Sequence, residues 1–199
     1  MMRLSPLLKK LPELLAEIQQ KHPDKKIELW CQDESRIGQK SGRTRSWGRK
    51  GIRLRAPVDT RYANAYIFGA FCPERDAAVG LILPYVNSEM MQLHLDEISA
   101  QLPQNVHAAM LADGAGWHIA NALNIPKNIT IIKIPPYSPE LNPAEKPWQY
   151  LKDNYLSQRI FSSYNDIVDA CQVTRNRVTE EKGRIKSLTN FPYLQSNGI

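Results

Sequence analysis

Apolar residues recur at helical spacing near the start of the chain. Leu7, Leu11, Leu14 and Ile18 fall at i, i+4, i+7 and i+11, and they predict an amphipathic helix over residues 5–21. A continuous apolar stripe is unfavourable in water. We therefore expect this helix to pack on the main domain, on a second copy of the chain, or on an upstream partner.

Three strand-like runs follow the helix and are separated by turns. They cover residues 26–33, 62–71 and 77–83, and their order predicts an antiparallel meander. The segment between the first two runs, residues 36–55, is rich in Gly and Arg and is expected to form a loop and hairpin.

The pattern then alternates between helix and strand. We expect a helix capped by Ser88, a strand, a short helix, a second strand, and two closing helices of which the last is capped near Ser163. The predicted ranges are 88–102, 107–112, 129–134, about 143–155 and 164–178. Antiparallel strands followed by this alternation predict an α/β fold with a mixed five-stranded sheet, three antiparallel strands then parallel ones, flanked by helices on both faces.

The composition narrows the class of protein. The chain has 199 residues, and 26 Lys and Arg against 20 Asp and Glu give a net charge of +6, which favours a polyanionic partner. Its three Cys form no CxxC pair, so we expect buried thiols in a reducing compartment rather than disulfides or a zinc site. No apolar run reaches the roughly 18 residues of a membrane span. We expect a cytoplasmic protein with no membrane partner.

Three acids occupy positions where chain geometry would expose them. Asp33 and Asp113 each follow a strand, and Glu145 begins a helix. If the first and fourth strands are neighbours, these carboxylates converge and repel unless cations lie between them, and oxygen ligands suit Mg²⁺ or Mn²⁺. Two such ions about 4 Å apart would bind the attacking and the leaving oxygen of a phosphodiester displacement. Acids at these places are also common caps, and Glu34 and Asp59 satisfy the same criterion of composition.

Three sequence blocks carry a family resemblance. They are residues 32–35 (QDES), 111–118 (LADGAGWH) and 135–148 (PPYSPELNPAEKPW). In this order the blocks resemble the catalytic domain of IS630-type transposases, which belong with the Tc1/mariner elements. The resemblance spans about residues 27–178, and the last two acids are 32 positions apart, as in that group.

The resemblance implies an RNase H-like fold and a DDE triad made of Asp33, Asp113 and Glu145, which would bind two Mg²⁺ or Mn²⁺ ions. It implies cut-and-paste transposition: water attacks a phosphodiester at the element end, and the freed 3′-OH then attacks target DNA. The expected organisation is a linker helix over residues 1–24, an RNase H-like DDE catalytic domain over 25–183, and a tail over 184–199.

The expected partners follow from the same resemblance. They are double-stranded DNA, at element ends and target, and a second copy of the chain. The family's helix-turn-helix region has no counterpart here, so a separate helix-turn-helix subunit is a third expected partner. Two alternatives stay open: a catalytically silent DNA-binding or regulatory remnant, and a metal-free hydrolase with a carboxylate acid/base pair, such as a glycosidase.

The segment 36–55 carries eight basic residues and no acid. They are Arg36, Lys40, Arg43, Arg45, Arg49, Lys50, Arg53 and Arg55. Beside a metal–phosphate site this segment predicts a groove for the DNA backbone, although a solvated hairpin has the same composition. Trp47 would stack on a base or anchor the hairpin. His118 would contact a carboxylate or phosphate at the site, or would be a structural histidine.

Overall fold

The structure is a computed structural model. It describes residues 6–40, 49–51, 59–113, 123–135, 138, 141–157 and 159–191. Six of the predicted DNA-binding residues lie outside these ranges, namely Arg43, Arg45, Trp47, Arg53, Arg55 and His118. The short helix predicted between the fourth and fifth strands would fall mainly on residues 114–122, which also lie outside, and residues 123–128 are not helical.

Five strands form one mixed sheet. They are β1 (Lys26–Gly38), β2 (Asn64–Cys72), β3 (Ala77–Leu83), β4 (Val106–Ala112) and β5 (Ile129–Lys133). The order across the sheet is β3-β2-β1-β4-β5. The pairs β1–β2 and β2–β3 are antiparallel, whereas β1–β4 and β4–β5 are parallel. The predicted mixed sheet is confirmed, and the first and fourth strands are neighbours, which is the condition under which Asp33 and Asp113 converge.

Helices cover both faces of the sheet. They are α1 (Pro6–Lys21), α2 (Ser88–Gln101), α3 (Glu145–Leu151), α4 (Tyr164–Glu180) and α5 (Arg184–Leu188), and a π-helical turn, Lys152–Leu156, continues α3. The apolar side of α2 packs on one face against Trp30 and Phe68. The other four helices contribute to the core on the opposite face. None of the helices in the described ranges is long and apolar enough to cross a membrane.

The amino-terminal helix packs on the main domain. Leu11, Leu15 and Ile18 are buried in the core beside β1, whereas Leu7 and Leu14 are half-buried. In the buried face of α1, Leu15 therefore takes the place predicted for Leu14. Leu11, Leu15 and Ile18 share this face because they are spaced at i, i+4 and i+7.

Strand β1 is longer than the sequence predicts. It continues beyond Asp33 to Gly38, so Arg36 lies in a strand rather than in a loop. The cause is the antiparallel ladder with β2, which pairs residues 31–38 of β1 with residues 64–71. Asp33 therefore lies inside the strand, at the point where the parallel pairing with β4 has ended.

The helix caps are partly as predicted. Ser163 caps α4, since its hydroxyl accepts the backbone N–H of Asp166 at 3.2 Å. The cap of α2 is Asn87 and not Ser88, because the extended backbone of Asn87 lets its Oδ1 accept the N–H of Met90 at 2.9 Å.

The sequence pattern does not predict α5, whose Ile185 is buried in the core. The domain boundaries at residues 24 and 183 stay predictions. The three cysteines, Cys31, Cys72 and Cys171, are buried and free, as predicted.

Candidate active site

The strand register brings Asp33 and Asp113 to neighbouring positions. The parallel pairing of β1 with β4 runs from Lys26 opposite Val106 to Cys31 opposite Leu111. Two positions further along this register, Asp113 comes level with Asp33. Asp33 shares a strand face with Cys31, which is buried in the core under α1, α3 and α4. Asp113 directly follows β4, so both acids lie where the parallel pairing ends.

Glu145 reaches this place from the first turn of α3. The loop before it is held by Asn142, whose side chain is 4% exposed. The Nδ2 of Asn142 donates to the carbonyl oxygen of Gln32 at 3.0 Å, and its Oδ1 accepts the N–H of Ala144 at 3.2 Å. This bridge ties the start of α3 to the residue that precedes Asp33.

A second link joins α3 to Asp33 directly. The indole Nε1 of Trp148 donates to Oδ2 of Asp33 at 3.0 Å. Trp148 follows Glu145 by three residues, so the two side chains lie on neighbouring positions of the helix surface. Trp148 and Leu151 are buried, as the helical spacing predicts, whereas Tyr155 is half-buried and donates its hydroxyl to Glu181 at 2.8 Å.

The charges of the neighbouring acids act on the carboxyl group of Asp33. Burial is the main cause that raises the pKa of Asp33 to about 7, and the charge of Glu34 is the next. The charges of Glu145 and Asp113 raise this pKa as well, which means that both carboxylates lie within electrostatic range of Asp33. The site therefore favours a proton or a cation at Asp33.

The donor set fits a hard divalent cation. Asp33, Asp113 and Glu145 offer only oxygen ligands, and Glu145 is exposed to solvent. Within the described ranges, no group of three or more His, Cys, Asp and Glu side chains is arranged to hold a metal ion. Mg²⁺ does not need such a cage, because it is commonly bound by one or two carboxylates together with waters and substrate phosphates.

The two other acids considered from composition lie in different surroundings. Glu34 follows Asp33 in the strand and so points to the opposite face of the sheet, where it accepts a hydrogen bond from Gln32 Nε2 at 3.1 Å. Asp59 pairs with Arg61, at 3.0 Å to Nε and 2.8 Å to Nη2. Asp59 is thus engaged in a surface ion pair.

The described part of the basic segment is exposed. Arg36, Lys40, Arg49 and Lys50 face solvent, and the Lys40 ammonium lies 5.1 Å from the ring centre of Tyr62. Within the described ranges, no contact places these four residues next to Asp33.

The base of the basic segment is anchored by residues that the sequence analysis missed. The buried Gln39 donates to the carbonyl of Phe161 at 2.9 Å, and Arg61 donates to the carbonyls of Phe161 and Ser162 at 2.7 and 3.0 Å. No sequence signal identifies these links, since they join positions about a hundred residues apart.

Asn142, Trp148 and Gly69 are the other residues that the sequence analysis missed at the site. Asn142 and Trp148 stand in the third sequence block, but the pattern predicts only packing for Trp148. Gly69 pairs with Asp33 across the β1–β2 ladder, and the space above it is filled by the Trp148 ring.

A mixed sheet of this order, with one acid inside the central strand, a second after the adjacent parallel strand and a third on a flanking helix, defines the RNase H-like class. Solved structures agree. The Mos1 mariner paired-end complex with Mn superposes with a TM-score of 0.63 and 16% identity over 94% of this chain. The Mos1 strand transfer complex gives 0.62 and 16% over the whole chain. The chain spans 60% and 64% of the length of these Mos1 chains.

The family follows from the sequence comparison. The model of the DDE superfamily endonucleases matches residues 28–168, a range that includes Asp33, Asp113 and Glu145, and this chain belongs to that family. A relative from Sinorhizobium fredii, the uncharacterized protein y4pE/y4sA, is 47% identical over 124 residues, which cover 62% of this chain and 92% of the relative. The predicted RNase H-like fold is confirmed, the chain belongs to the DDE endonucleases as the resemblance implies, and the IS630-type motifs are consistent with both.

Proposed function

We propose that this chain is the catalytic domain of a transposase that cleaves DNA strands and transfers them to a target. Asp33, Asp113 and Glu145 form its DDE triad and bind Mg²⁺ or Mn²⁺. The observation that carries the proposal is geometric: the strand register brings Asp113 level with Asp33, and two hydrogen bonds, from Asn142 to Gln32 and from Trp148 to Asp33, tie the helix that carries Glu145 to the same strand.

The metal requirement rests on the chemistry of this donor set. Carboxylates that crowd one another are stabilised by a divalent cation, and solved complexes of the similar Mos1 transposase were crystallised with Mn and with Mg. Asp33, Asp113 and Glu145 would hold such ions, whose Lewis acidity would supply activation of the attacking oxygen and stabilisation of the leaving oxygen. The residues of this chain hold the carboxylates: Trp148 fixes Asp33, and Asn142 fixes the loop that leads to Glu145.

The substrate class rests on charge. The net charge of +6 and the eight basic residues of segment 36–55 favour the phosphate backbone of double-stranded DNA, at element ends and at the target. Fold relatives are known as paired-end and strand transfer complexes of Mos1. A second copy of this chain and a separate helix-turn-helix subunit complete the proposed assembly.

The test is strand cleavage by the whole chain on supercoiled plasmid, with Mn²⁺ or Mg²⁺, with and without the helix-turn-helix subunit. We expect nicking that EDTA abolishes. Asp33→Asn, Asp113→Asn and Glu145→Gln should each lower the rate at least a hundredfold while the circular dichroism spectrum stays that of the wild type. Glu97→Gln, which changes an acid of α2 on the other face of the sheet, should stay within twofold.

Three results would contradict the proposal. One is a folded Asp113→Asn variant that nicks at the wild-type rate. Another is cleavage that survives EDTA, which would favour a metal-free acid/base pair. The third is a wild-type chain that stays silent with both metals and with the helix-turn-helix subunit, as a regulatory remnant would.

A further inference from the structure

The hydrogen bond between Trp148 and Asp33 links the third sequence block to the first. It spans 115 positions of sequence and joins a buried indole to the carboxyl on which the charges converge. Oδ2 of Asp33 accepts this bond, and the backbone N–H of Glu34 also donates to the same carboxyl group. A donor at one oxygen also fixes the rotation of the carboxyl group about its Cβ–Cγ bond.

The indole itself is held by its surroundings. Trp148 is 3% exposed and packs edge-to-face on Phe71, with ring centres 5.3 Å apart at 73°. Gly69, the partner of Asp33 in the β1–β2 ladder, provides the space for the ring. A Cβ at Gly69 would lie 2.5 Å from Cη2 of Trp148 and 2.9 Å from Cζ of Phe71, so an added methyl group would force one of the two rings to shift.

We propose that Trp148 is a positioning residue for the metal-binding carboxylate, and that Gly69 is required because only a residue without a Cβ admits the indole. Trp148 fixes the orientation of the carboxyl group with which Asp33 would bind a cation shared with Asp113 and Glu145. This inference rests on the proposed function, since it assigns a role within the same site.

A second tryptophan, Trp30, provides a control that distinguishes the positioning of a carboxyl group from the packing of a buried indole. Trp30 also lies in the core, 2% exposed, but its Nε1 has no hydrogen-bond partner among the residues that the structure describes. It belongs to β1 and packs on the opposite face, against α2. A change of Trp30 to Phe therefore removes a buried indole of the same size without touching a carboxyl. It is the matched control for Trp148→Phe.

Gly69 has a matched control as well. Gly80 is its direct partner in β3, so a methyl group added there projects from the same face of the sheet. A Cβ at Gly80 would meet Cδ of Arg175 at 3.1 Å. Arg175 donates to the Gly80 carbonyl at 2.9 Å, but its aliphatic part needs to shift by only a few tenths of an ångström, whereas the atoms that face Gly69 belong to two packed aromatic rings and lie closer. Gly80→Ala should therefore be tolerated where Gly69→Ala is not.

The first measurement needs neither metal nor DNA. The indole N–H signals of ¹⁵N-tryptophan-labelled protein are recorded by NMR, and the signal that Trp148→Phe removes is assigned to Trp148. In Asp33→Ala this signal should shift, and its exchange with solvent should accelerate at least tenfold, because the acceptor is gone. Glu34→Gln should leave the signal in place.

The second measurement is nicking as a function of Mn²⁺ concentration. Trp148→Phe and Gly69→Ala should raise the half-saturating Mn²⁺ concentration about tenfold or more, the factor expected for a lost hydrogen bond to a charged group. A high Mn²⁺ concentration should restore most of the maximal rate in Trp148→Phe but not in Asp33→Ala. Trp30→Phe and Gly80→Ala should stay within twofold of the wild type.

The outcomes separate this inference from the proposed function. The positioning role is overturned if the Trp148 indole signal is unchanged in Asp33→Ala, or if a folded Trp148→Phe variant has the Mn²⁺ dependence of the wild type. Either result leaves the transposase proposal standing. A Trp148 signal that responds in a protein whose nicking does not depend on Asp33 overturns the proposed function, and the positioning role with it.

Discussion

The loop before Glu145 is held by one buried amide, the side chain of Asn142, and the effect of removing this amide can be predicted. Asn142→Ala deletes the hydrogen bond to the Gln32 carbonyl and the one from the Ala144 N–H, at 3.0 and 3.2 Å. At about 0.5–1.5 kcal/mol for each bond, we expect the free energy of unfolding to fall by about 1 to 3 kcal/mol. Without this bridge Glu145 is no longer fixed relative to Asp33. We expect nicking to fall about 10- to 100-fold, since displacements near 1 Å cost rates of that order.

Asn128 offers the matched control. Its Nδ2 donates to the Ser99 carbonyl at 3.0 Å, and its Oδ1 accepts the Ser99 hydroxyl at 2.7 Å. These two bonds join α2 to the turn before β5, at the end of the parallel strands opposite to Asp33 and Asp113. Asn128→Ala should therefore cost a similar free energy of unfolding and leave nicking unchanged.

The assay combines urea unfolding with nicking at saturating Mn²⁺, at a temperature where every variant is folded. If Asn142→Ala were destabilised like Asn128→Ala and still nicked within twofold of the wild-type rate, the argument that this bridge positions Glu145 would be refuted. Asn142→Asp sharpens the comparison. It keeps the acceptor for Ala144 but sets an oxygen against the Gln32 carbonyl, so nicking should fall at least as far as in Asn142→Ala.

Three further predictions follow from other contacts. Mn²⁺ at a hundred times its dissociation constant should raise the melting temperature of the wild type by about 5 to 10 °C, and that of Asp33→Asn should not respond; equal shifts in differential scanning fluorimetry would argue against the site. Burial first, and then the charges of His22 and Lys25, lower the pKa of His107 to about 4, so stability is lost as the pH falls from about 6.5 to 4. The loss amounts to about 3 kcal/mol, and a urea series across this range should be flatter for His107→Gln. Ser163→Ala removes the cap of α4 and should cost about 1 kcal/mol in urea unfolding, whereas an unchanged midpoint would show that the cap contributes nothing.

The parts of the fold that follow local rules could be predicted from the sequence. The run 77–83 coincides with β3, and the Ser163 cap is where the pattern of polar residues places it. The mixed character of the sheet followed from the change between meander and helix–strand alternation, whereas the strand order β3-β2-β1-β4-β5 did not. Elements that depend on distant partners were mistaken or missed. β1 extends to Gly38 because β2 pairs with it, and α5 follows Gly183, whose positive φ of 77° and N–H bond to Asp76 have no local signature.

The same distinction, between what a local pattern predicts and what depends on distant partners, applies to the candidate site. The three acids could be chosen because each lies within one of the three blocks that carry the family resemblance, whereas composition alone left Glu34 and Asp59 open as well. Their supports could not, because the bonds from Trp148 to Asp33 and from Asn142 to Gln32 cross 115 and 110 positions of sequence. A pattern along the chain predicts that Trp148 is buried, since it falls on the apolar side of a helix. It does not predict which carboxyl its N–H meets.

These supports also explain how like charges stay together in the absence of a cation. Asp33 is fixed by the antiparallel ladder with β2 and by the Trp148 indole, so it does not move away from Asp113. Burial first, then the charge of Glu34, and after them the charges of Glu145 and Asp113 raise its pKa. Glu145 is exposed and would be free to turn away, but Asn142 holds the backbone before it, and Trp148 holds the helix after it. The contacts that stabilise this part of the fold are therefore the contacts that hold the carboxylates against their own repulsion. A substitution that relieves the repulsion should stabilise the metal-free protein and lower its affinity for the cation at the same time.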